Sequence, residues 1–174
     1  MKYKLTNDSK TLSDGTIVYR IECVTAFGNI KAGDKGGFIE SKNNLSQEGN
    51  AWVSGDAWVY GNARVYGNAW VFGNARVYGN AIVYDKARLH GNAKVYGNAR
   101  ISSCSWGNSP LQIQGSVWYF NMCRRNQISI GCETHTIKHW LDNYYQIGKL
   151  HNTDDDTIEE YYRYICLARD MYLR

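Results

Sequence analysis

The sequence predicts a mainly β protein in which short, nearly identical strands stack on one another. Alanine occupies every sixth position from Ala51 to Ala99, and a valine, leucine or isoleucine follows each alanine two positions later. Glycine–asparagine pairs separate most of these units. A fixed short period is typical of stacked structural units, and a period of six does not fit the spacing of an amphipathic helix.

Each unit of six residues, or hexad, predicts one short strand followed by one corner. Because side chains alternate across a strand, the alanine and the aliphatic residue point to the same interior, and the residue between them points outward. Glycine and asparagine accept left-handed backbone conformations better than most residues, which suits a sharp corner after every strand. The chain holds 17 glycines and a single proline, in keeping with many strands and tight turns.

The residues before the repeat, 1–50, predict a β-rich N-terminal cap. A β-branched run over residues 18–25 indicates a strand, and Ser13-Asp14-Gly15 predicts the turn before it. The glycines of KAGDKGGFIE, residues 31–40, predict a second turn ahead of Phe38. A glycine-rich loop can also cradle a phosphate, but the glycine spacing of a phosphate-binding motif is absent, so the turn is favoured.

The repeat region is predicted to extend over residues 51–120, and a C-terminal cap over residues 121–174. The first element of this cap is a hairpin, whose strands enclose the basic turn Arg124-Arg125-Asn126. The apolar residues of the two predicted strands lie at 117–120 and 128–130.

Two helices are predicted after the hairpin. Apolar residues from Ile137 to Tyr144 have helical spacing, and Gly148 is the predicted stop of this first helix. Thr153 is expected to cap the second helix, with three aspartates in its first turn. We expect the pair of helices to cover an open end of the strand stack, because uncovered strand edges invite aggregation.

The repeat resembles a known family. Segments such as VYGNARVYGNAWVFGNARVYGNA are similar to the hexapeptide repeat of left-handed parallel β-helix proteins. The resemblance implies triangular coils of three hexads each, about three such coils in this chain, and a trimer, which is common in that family. The wider layout, with KAGDKGGFIE before the coils and a helical tail after them, resembles uncharacterised phage and prophage proteins. It implies a viral accessory protein with a counter-defence role in the host cytoplasm.

If three hexads make one coil, the outward residues of the repeat sort into three faces that carry no carboxylate. These are the first face (Trp52, Trp70, Arg88), the second face (Trp58, Arg76, Lys94) and the third face (Arg64, Ile82, Arg100). Tyr60, Tyr78 and Tyr96 form a column along one corner. The predicted binding residues are therefore Trp52, Trp58, Arg64, Trp70, Arg76, Tyr78, Arg88, Lys94, Tyr96 and Arg100.

Two interpretations of these faces stay open. Exposed tryptophan, tyrosine and isoleucine are typical of a protein interface, either between copies of the chain or with a host protein. Aromatic rings beside arginines also suit nucleic acid or a nucleotide, because rings stack on bases and guanidinium groups neutralise phosphate. The net charge of +4 is in keeping with the second interpretation, since the repeat holds six Lys or Arg against two Asp. We expect a non-catalytic binding module without a cofactor.

The alternative function is an acyl-CoA-dependent transferase, which the resemblance implies through a histidine that acts as general base. His90 is the candidate, although it occupies a corner position where other units have tyrosine or phenylalanine, and an aromatic substitute is the favoured interpretation. Cys132, His135 and His139 are a candidate zinc set, because histidines four positions apart share one face of a helix. Ordinary packing roles are favoured for these three residues, so no metal is predicted.

The segment MKYKLTNDS at the start of the sequence lacks the apolar stretch of a signal peptide, and the five cysteines are odd in number and scattered. We therefore expect reduced thiols and a cytoplasmic protein that does not enter a membrane.

Overall fold

The computed structural model describes residues 1–172. The chain divides into two compact units, Met1–Pro110 and Leu111–Arg174. The first unit contains the repeat and the residues before it, and the second contains a small sheet and two helices.

The first unit begins with an antiparallel meander of three strands. These strands are β1 (Tyr3–Thr11), β2 (Ile17–Cys23) and β3 (Lys35–Ile39), and a short 3-10 helix (Lys42–Asn44) follows them. Strand β2 confirms the strand predicted over 18–25. Strand β1 was not predicted, because its residues are mostly polar and most of them are exposed or only half-buried.

The repeat folds into a solenoid of two-residue strands, as the six-residue period predicts. These strands are β4 (Trp52–Val53), β5 (Trp58–Val59), β6 (Arg64–Val65), β7 (Trp70–Val71), β8 (Arg76–Val77), β9 (Ile82–Val83), β10 (Arg88–Leu89), β11 (Lys94–Val95), β12 (Arg100–Ile101) and β13 (Ser105–Trp106). Every third strand pairs in parallel, so residues three hexads apart stack within the repeat: Trp58 lies beside Arg76, and Arg76 beside Lys94. The predicted coil of three hexads is confirmed.

Small aliphatic side chains fill the interior of the solenoid. The inward alanine, valine, leucine and isoleucine residues of the repeat are 0–1% exposed. Backbone hydrogen bonds run along the stack, because the N–H groups of one coil donate to the carbonyls of the next. The Trp58 nitrogen lies 3.0 Å from the Ala75 oxygen, and the Tyr60 nitrogen 3.0 Å from the Val77 oxygen.

The solenoid extends beyond the repeat at both ends. Strand β3 pairs in parallel with β5, Leu45 bridges Val65, and β13 pairs with β10. One sheet therefore stacks four solenoid strands, in the order β13-β10-β7-β4. The solenoid makes about four turns, compared with about three predicted, because residues outside the repeat continue the ladder. Its left-handed winding stays a prediction.

The glycines of KAGDKGGFIE have two different roles. Gly33 has a φ of 91° and makes the predicted turn. Gly36 and Gly37 lie within β3, so the prediction that they belong to the turn is wrong. A Cβ atom on Gly37 would lie 2.7 Å from the Ala57 oxygen. These two glycines therefore let β3 approach the solenoid closely.

Polar groups of the N-terminal residues bind the carbonyls at the start of the stack, which have no preceding coil to donate to them. The Asn44 side-chain nitrogen donates to the Gly61 and Ala63 oxygens, each at 2.9 Å. The Lys2 ammonium donates to the Ala51 oxygen at 2.9 Å. Burial lowers the pKa of Lys2 to about 8.

The second unit contains a four-stranded antiparallel sheet followed by two helices. Its elements are β14 (Gln112–Gln114), β15 (Tyr119–Arg124), β16 (Gln127–Ile130), β17 (Glu133–Thr136), α1 (Ile137–Leu150) and α2 (Asp155–Tyr172). The predicted hairpin is confirmed by β15 and β16, and the predicted helical pair by α1 and α2. Neither helix in the described residues combines the length and the apolar character that crossing a membrane requires.

Two details of the helical pair differ from the prediction. Helix α2 is capped by Asp154, whose carboxylate accepts from the Thr157 nitrogen at 2.9 Å, and not by Thr153. Helix α1 continues to Leu150, past the predicted stop at Gly148. A Cβ atom on Gly148 would lie 2.5 Å from the Ile158 side chain, so this glycine permits the close packing of the two helices.

Asn44 is fully buried, and its side chain binds two carbonyls at the start of the stack. We therefore expect it to stabilise the solenoid. We expect Asn44→Ala to lower the free energy of unfolding by about 2–4 kcal/mol, because two carbonyls lose their donor. Asn43→Ala is the matched control, since Asn43 is exposed in the same short helix, and its effect should stay within about 0.5 kcal/mol. Equal effects of the two substitutions in urea denaturation would contradict this role of Asn44.

Candidate functional site

The outward strand positions of the solenoid form the candidate site. Side chains at these positions stand perpendicular to the sheets, and the three-hexad coil aligns them in the three predicted faces. Trp58, Trp70 and Ile82 are half-buried. The exposed cations at outward positions are Arg64, Arg76, Arg88, Lys94 and Arg100.

The second face contains a cation that lies directly over an aromatic ring. The Arg76 guanidinium carbon lies 4.3 Å from the centre of the Trp58 ring, and Lys94 follows on the next coil. The Lys10 ammonium, from β1, lies 5.9 Å from the same ring. Because this cation–π contact holds the guanidinium group over the Trp58 ring, we expect Arg76 to be positioned before an anion binds.

The first face is smaller than the sequence predicts. Trp52 points outward from its coil, but it is only 1% exposed. Tyr3 and Phe27 contact its ring edge-on, with centroids 6.4 and 5.4 Å away. Trp52 is therefore a core residue of the N-terminal cap and does not belong to an exposed surface. Trp70 and Arg88 remain, with the Arg88 guanidinium carbon 5.8 Å from the centre of the nearer ring of Trp70.

The third face is mixed in character. Arg64, Ile82 and Arg100 stack on successive coils, so a half-buried aliphatic side chain separates two exposed cations. The Arg64 guanidinium carbon lies 5.8 Å from the centre of the Tyr66 ring at the adjoining corner.

Three of these arginines lack a salt-bridge partner among the described residues. Among the described residues, Arg64, Arg76 and Arg88 form no salt bridge within 4.0 Å, whereas Lys10 pairs with Asp56 at 3.1 Å. Their charge is therefore not neutralised within the described part of the chain. Cations without a salt-bridge partner on the surface create a field that attracts anions.

The tyrosine column stacks on itself. The Tyr60 and Tyr78 rings are 5.2 Å apart and nearly parallel, and the Tyr78 and Tyr96 rings are 5.4 Å apart. Burial raises the pKa of Tyr60 and of Tyr78. Because both faces of the Tyr78 ring are occupied by neighbouring tyrosines, a base cannot stack on Tyr78 unless the column opens. Tyr96 is 39% exposed and lies at one end of this column.

His90 continues a second aromatic column. Its ring stacks on Phe72 with centroids 5.2 Å apart, and its Nε2 atom lies 2.9 Å from the Ser105 hydroxyl. A Cβ atom on Gly107 would lie 2.9 Å from the His90 ring, so that side of the ring is also closely covered. His90 therefore packs in the corner position where other hexads have tyrosine or phenylalanine.

The structure does not assemble the predicted zinc set as expected. His135 lies in β17 and His139 in the first turn of α1, so the prediction that they share one helix face is wrong. Their rings stack with centroids 4.5 Å apart. Cys132 is instead close to Glu133 and His151, and one ligand atom from each of these three residues lies within 4.8 Å of the other two.

Glu133 is the centre of this second cluster. Its carboxylate accepts from His151 Nε2 at 3.2 Å and from His135 Nε2 at 2.9 Å. The hydrogen bond from His151, and then that from His135, hold the pKa of Glu133 below its usual value. Sequence reasoning missed Glu133 and His151, because they are well separated along the chain and lie outside any repeat or motif.

Comparison with protein families identifies the solenoid. A family model described as the YdcK beta solenoid repeat matches residues 57–73 and 75–91, about a fifth of the chain. This match and the three parallel stacks establish a β-solenoid protein. A search of curated proteins gives no significant match.

We expect the tyrosines of the column to contribute unequally to the stability of the protein. Tyr78→Ala breaks two stacked pairs, and Tyr60→Ala breaks one. Because each aromatic pair contributes about 0.5–1.5 kcal/mol, we expect Tyr78→Ala to lower the free energy of unfolding by about 1 kcal/mol more than Tyr60→Ala. Thermal denaturation measures both variants, and a larger loss in Tyr60→Ala would contradict the stacked column.

Proposed function

We propose that the protein is a non-catalytic binding module whose solenoid binds a polyanion, with nucleic acid as the expected ligand. The observation that supports this proposal is the set of outward strand positions, which holds five exposed cations and no carboxylate. Arg64, Arg76 and Arg88 also lack a salt-bridge partner among the described residues.

The spacing of the cations favours an extended ligand. Neighbouring strands of a sheet lie about 4.8 Å apart, so Arg76 and Lys94 form a short row along the stack. A row of fixed positive charges suits a backbone of repeated phosphates better than it suits one small anion. Such binding releases counterions, so the affinity should fall steeply with salt concentration.

The aromatic residues have a smaller part in this proposal than the sequence suggests. The tyrosine column is occupied by its own stacking, so base stacking is limited to the half-buried Trp58 and Trp70. Trp58 orients Arg76 through the cation–π contact at 4.3 Å. We therefore expect binding that depends on charge more than on base sequence.

We also propose self-association, a host protein partner and a phage origin, each on other grounds. Trp70 and Ile82 are half-buried apolar residues at outward positions, which favours a contact between copies of the chain, with a trimer expected. The same two apolar residues favour a contact between these faces and a host protein. The left-handed winding, the phage origin and a counter-defence role in the host cytoplasm depend on the resemblance of the repeat and of the wider layout.

The transferase alternative depends on His90 alone. Its contacts with Phe72 and Ser105 explain the side chain without a catalytic role. We therefore do not extend the proposal to acyl transfer.

Charge reversal on the solenoid tests the proposed function. We expect the unmodified protein to bind a fluorescent oligothymidylate, with an affinity that falls as salt rises. Replacement of Arg64, Arg76 and Arg88 by glutamate should abolish this binding at moderate salt. Replacement by glutamine should lower the slope of log affinity against log salt by about 2, since each phosphate contact contributes about 0.7 to the slope for single strands. Fluorescence anisotropy measures both quantities.

The matched control reverses the same number of charges in the second unit. Arg125, Lys138 and Arg163 are exposed there, and their replacement by glutamate gives the same net charge as the solenoid variant. Binding should persist in this control. An equal loss in both variants, or an absence of salt-dependent binding in the unmodified protein, would contradict a site on the solenoid.

A further inference from the structure

The second unit brings three metal-binding side chains together at the ends of regular elements. Cys132 lies in the turn between β16 and β17, where Gly131 has a φ of 56°. Glu133 is the first residue of β17. His151 is the C-cap that follows α1, and its backbone N–H donates to the Gly148 oxygen at 3.1 Å. Each of the three backbones is therefore fixed by the turn or element in which it lies.

The donor atoms of these residues are already close. His151 Nε2 lies 3.2 Å from one carboxylate oxygen of Glu133, and one atom from each of the three residues lies within 4.8 Å of the others. Cys132 and His151 are exposed and Glu133 is half-buried, so an ion can reach all three from solvent.

A second layer of side chains holds this cluster in place. His135 donates to the other oxygen of Glu133, and the His135 ring stacks on His139 and meets the edge of Trp140, with centroids 4.5 and 5.2 Å away. Trp118 lies edge-on to the His151 ring at 6.3 Å. Outer-layer hydrogen bonds of this kind orient the ligands of metal sites.

We propose that Cys132, Glu133 and His151 form a zinc-binding site, with His135 as a positioning residue for Glu133. A thiolate, an imidazole and a carboxylate are the three side-chain types that zinc prefers. Cys132 replaces its proton by the metal on binding, and His151 binds through a neutral ring nitrogen.

The cluster needs only a small rearrangement to reach zinc geometry. Zinc–ligand distances of about 2.0–2.3 Å in a tetrahedral site place the ligand atoms about 3.5 Å from one another. Glu133 and His151 meet this requirement now, at 3.2 Å. The exposed Cys132 side chain can close the remaining distance by a change of rotamer.

Three protein ligands leave one coordination position of a tetrahedral zinc ion open. Cys132, Glu133 and His151 also line a pocket whose other walls are apolar and aromatic, formed mainly by Trp118, Trp140, Tyr144, Ile158, Tyr161 and Ile165. The open position is therefore available to water, or to a donor atom of a small apolar ligand seated in the pocket.

Cobalt(II) is the probe that distinguishes this site, because its absorption reports both thiolate coordination and tetrahedral geometry. We expect one equivalent of Co²⁺ to give a thiolate charge-transfer band in the full chain, and Zn²⁺ to displace it. Cys132→Ser should abolish the charge-transfer band. His151→Gln and Glu133→Gln should each lower Zn²⁺ affinity by more than the roughly 10–100-fold expected for His135→Gln.

His90→Gln and Cys166→Ser are the matched controls. His90 is a histidine of the first unit and lies outside the proposed site, and Cys166 is a partly exposed cysteine of α2. Both variants should retain the Co²⁺ spectrum and the Zn²⁺ affinity. Circular dichroism of the metal-free proteins should show that all variants are folded. Loss of the spectrum in Cys166→Ser, or no thiolate band in the unmodified chain, would overturn the proposal.

Discussion

The ladder of hydrogen bonds between successive coils is the constraint on which the rest of the solenoid depends. Each N–H donates to a carbonyl one coil further along, as Trp58 does to Ala75 at 3.0 Å. Because this ladder aligns residues three hexads apart, it places small aliphatic side chains inside and cations outside. It also leaves unpaired carbonyls at the first coil, which explains the buried polar side chain of Asn44 and the buried ammonium of Lys2.

The fold could be predicted from the sequence where the six-residue period applies. The period determined the inward residues, the three faces and the stacking of Trp58 beside Arg76. It could not predict that Trp52 is covered, because Tyr3 and Phe27 lie outside the repeat. Strand β1 could not be predicted either, because its mostly polar residues show no alternation of apolar and polar side chains. Its pairing with β2 holds these residues in a strand.

The two candidate sites also differ in how far the sequence predicts them. The positions of Arg64, Arg76 and Arg88 followed from the repeat, whereas the self-stacking of the tyrosines became evident only from the ring geometry. Glu133 and His151 could not be predicted, because the start of β17 and the C-cap of α1 bring together two residues that are distant along the chain. Sequence periodicity therefore predicts the surface of the solenoid and gives no information on the donor cluster of the second unit.

The stacking of residues three hexads apart can be measured directly by cross-linking. Neighbouring strands lie about 4.8 Å apart, within the Cα distance of about 4.4–6.8 Å that a disulfide spans. The account predicts that Arg76→Cys with Lys94→Cys forms a disulfide under mild oxidation, found by peptide mapping. Arg76→Cys with Arg88→Cys, a pair closer in sequence but on different faces, should not form one. Equal cross-linking of the two pairs, or cross-linking of the second pair alone, would contradict the three-hexad coil.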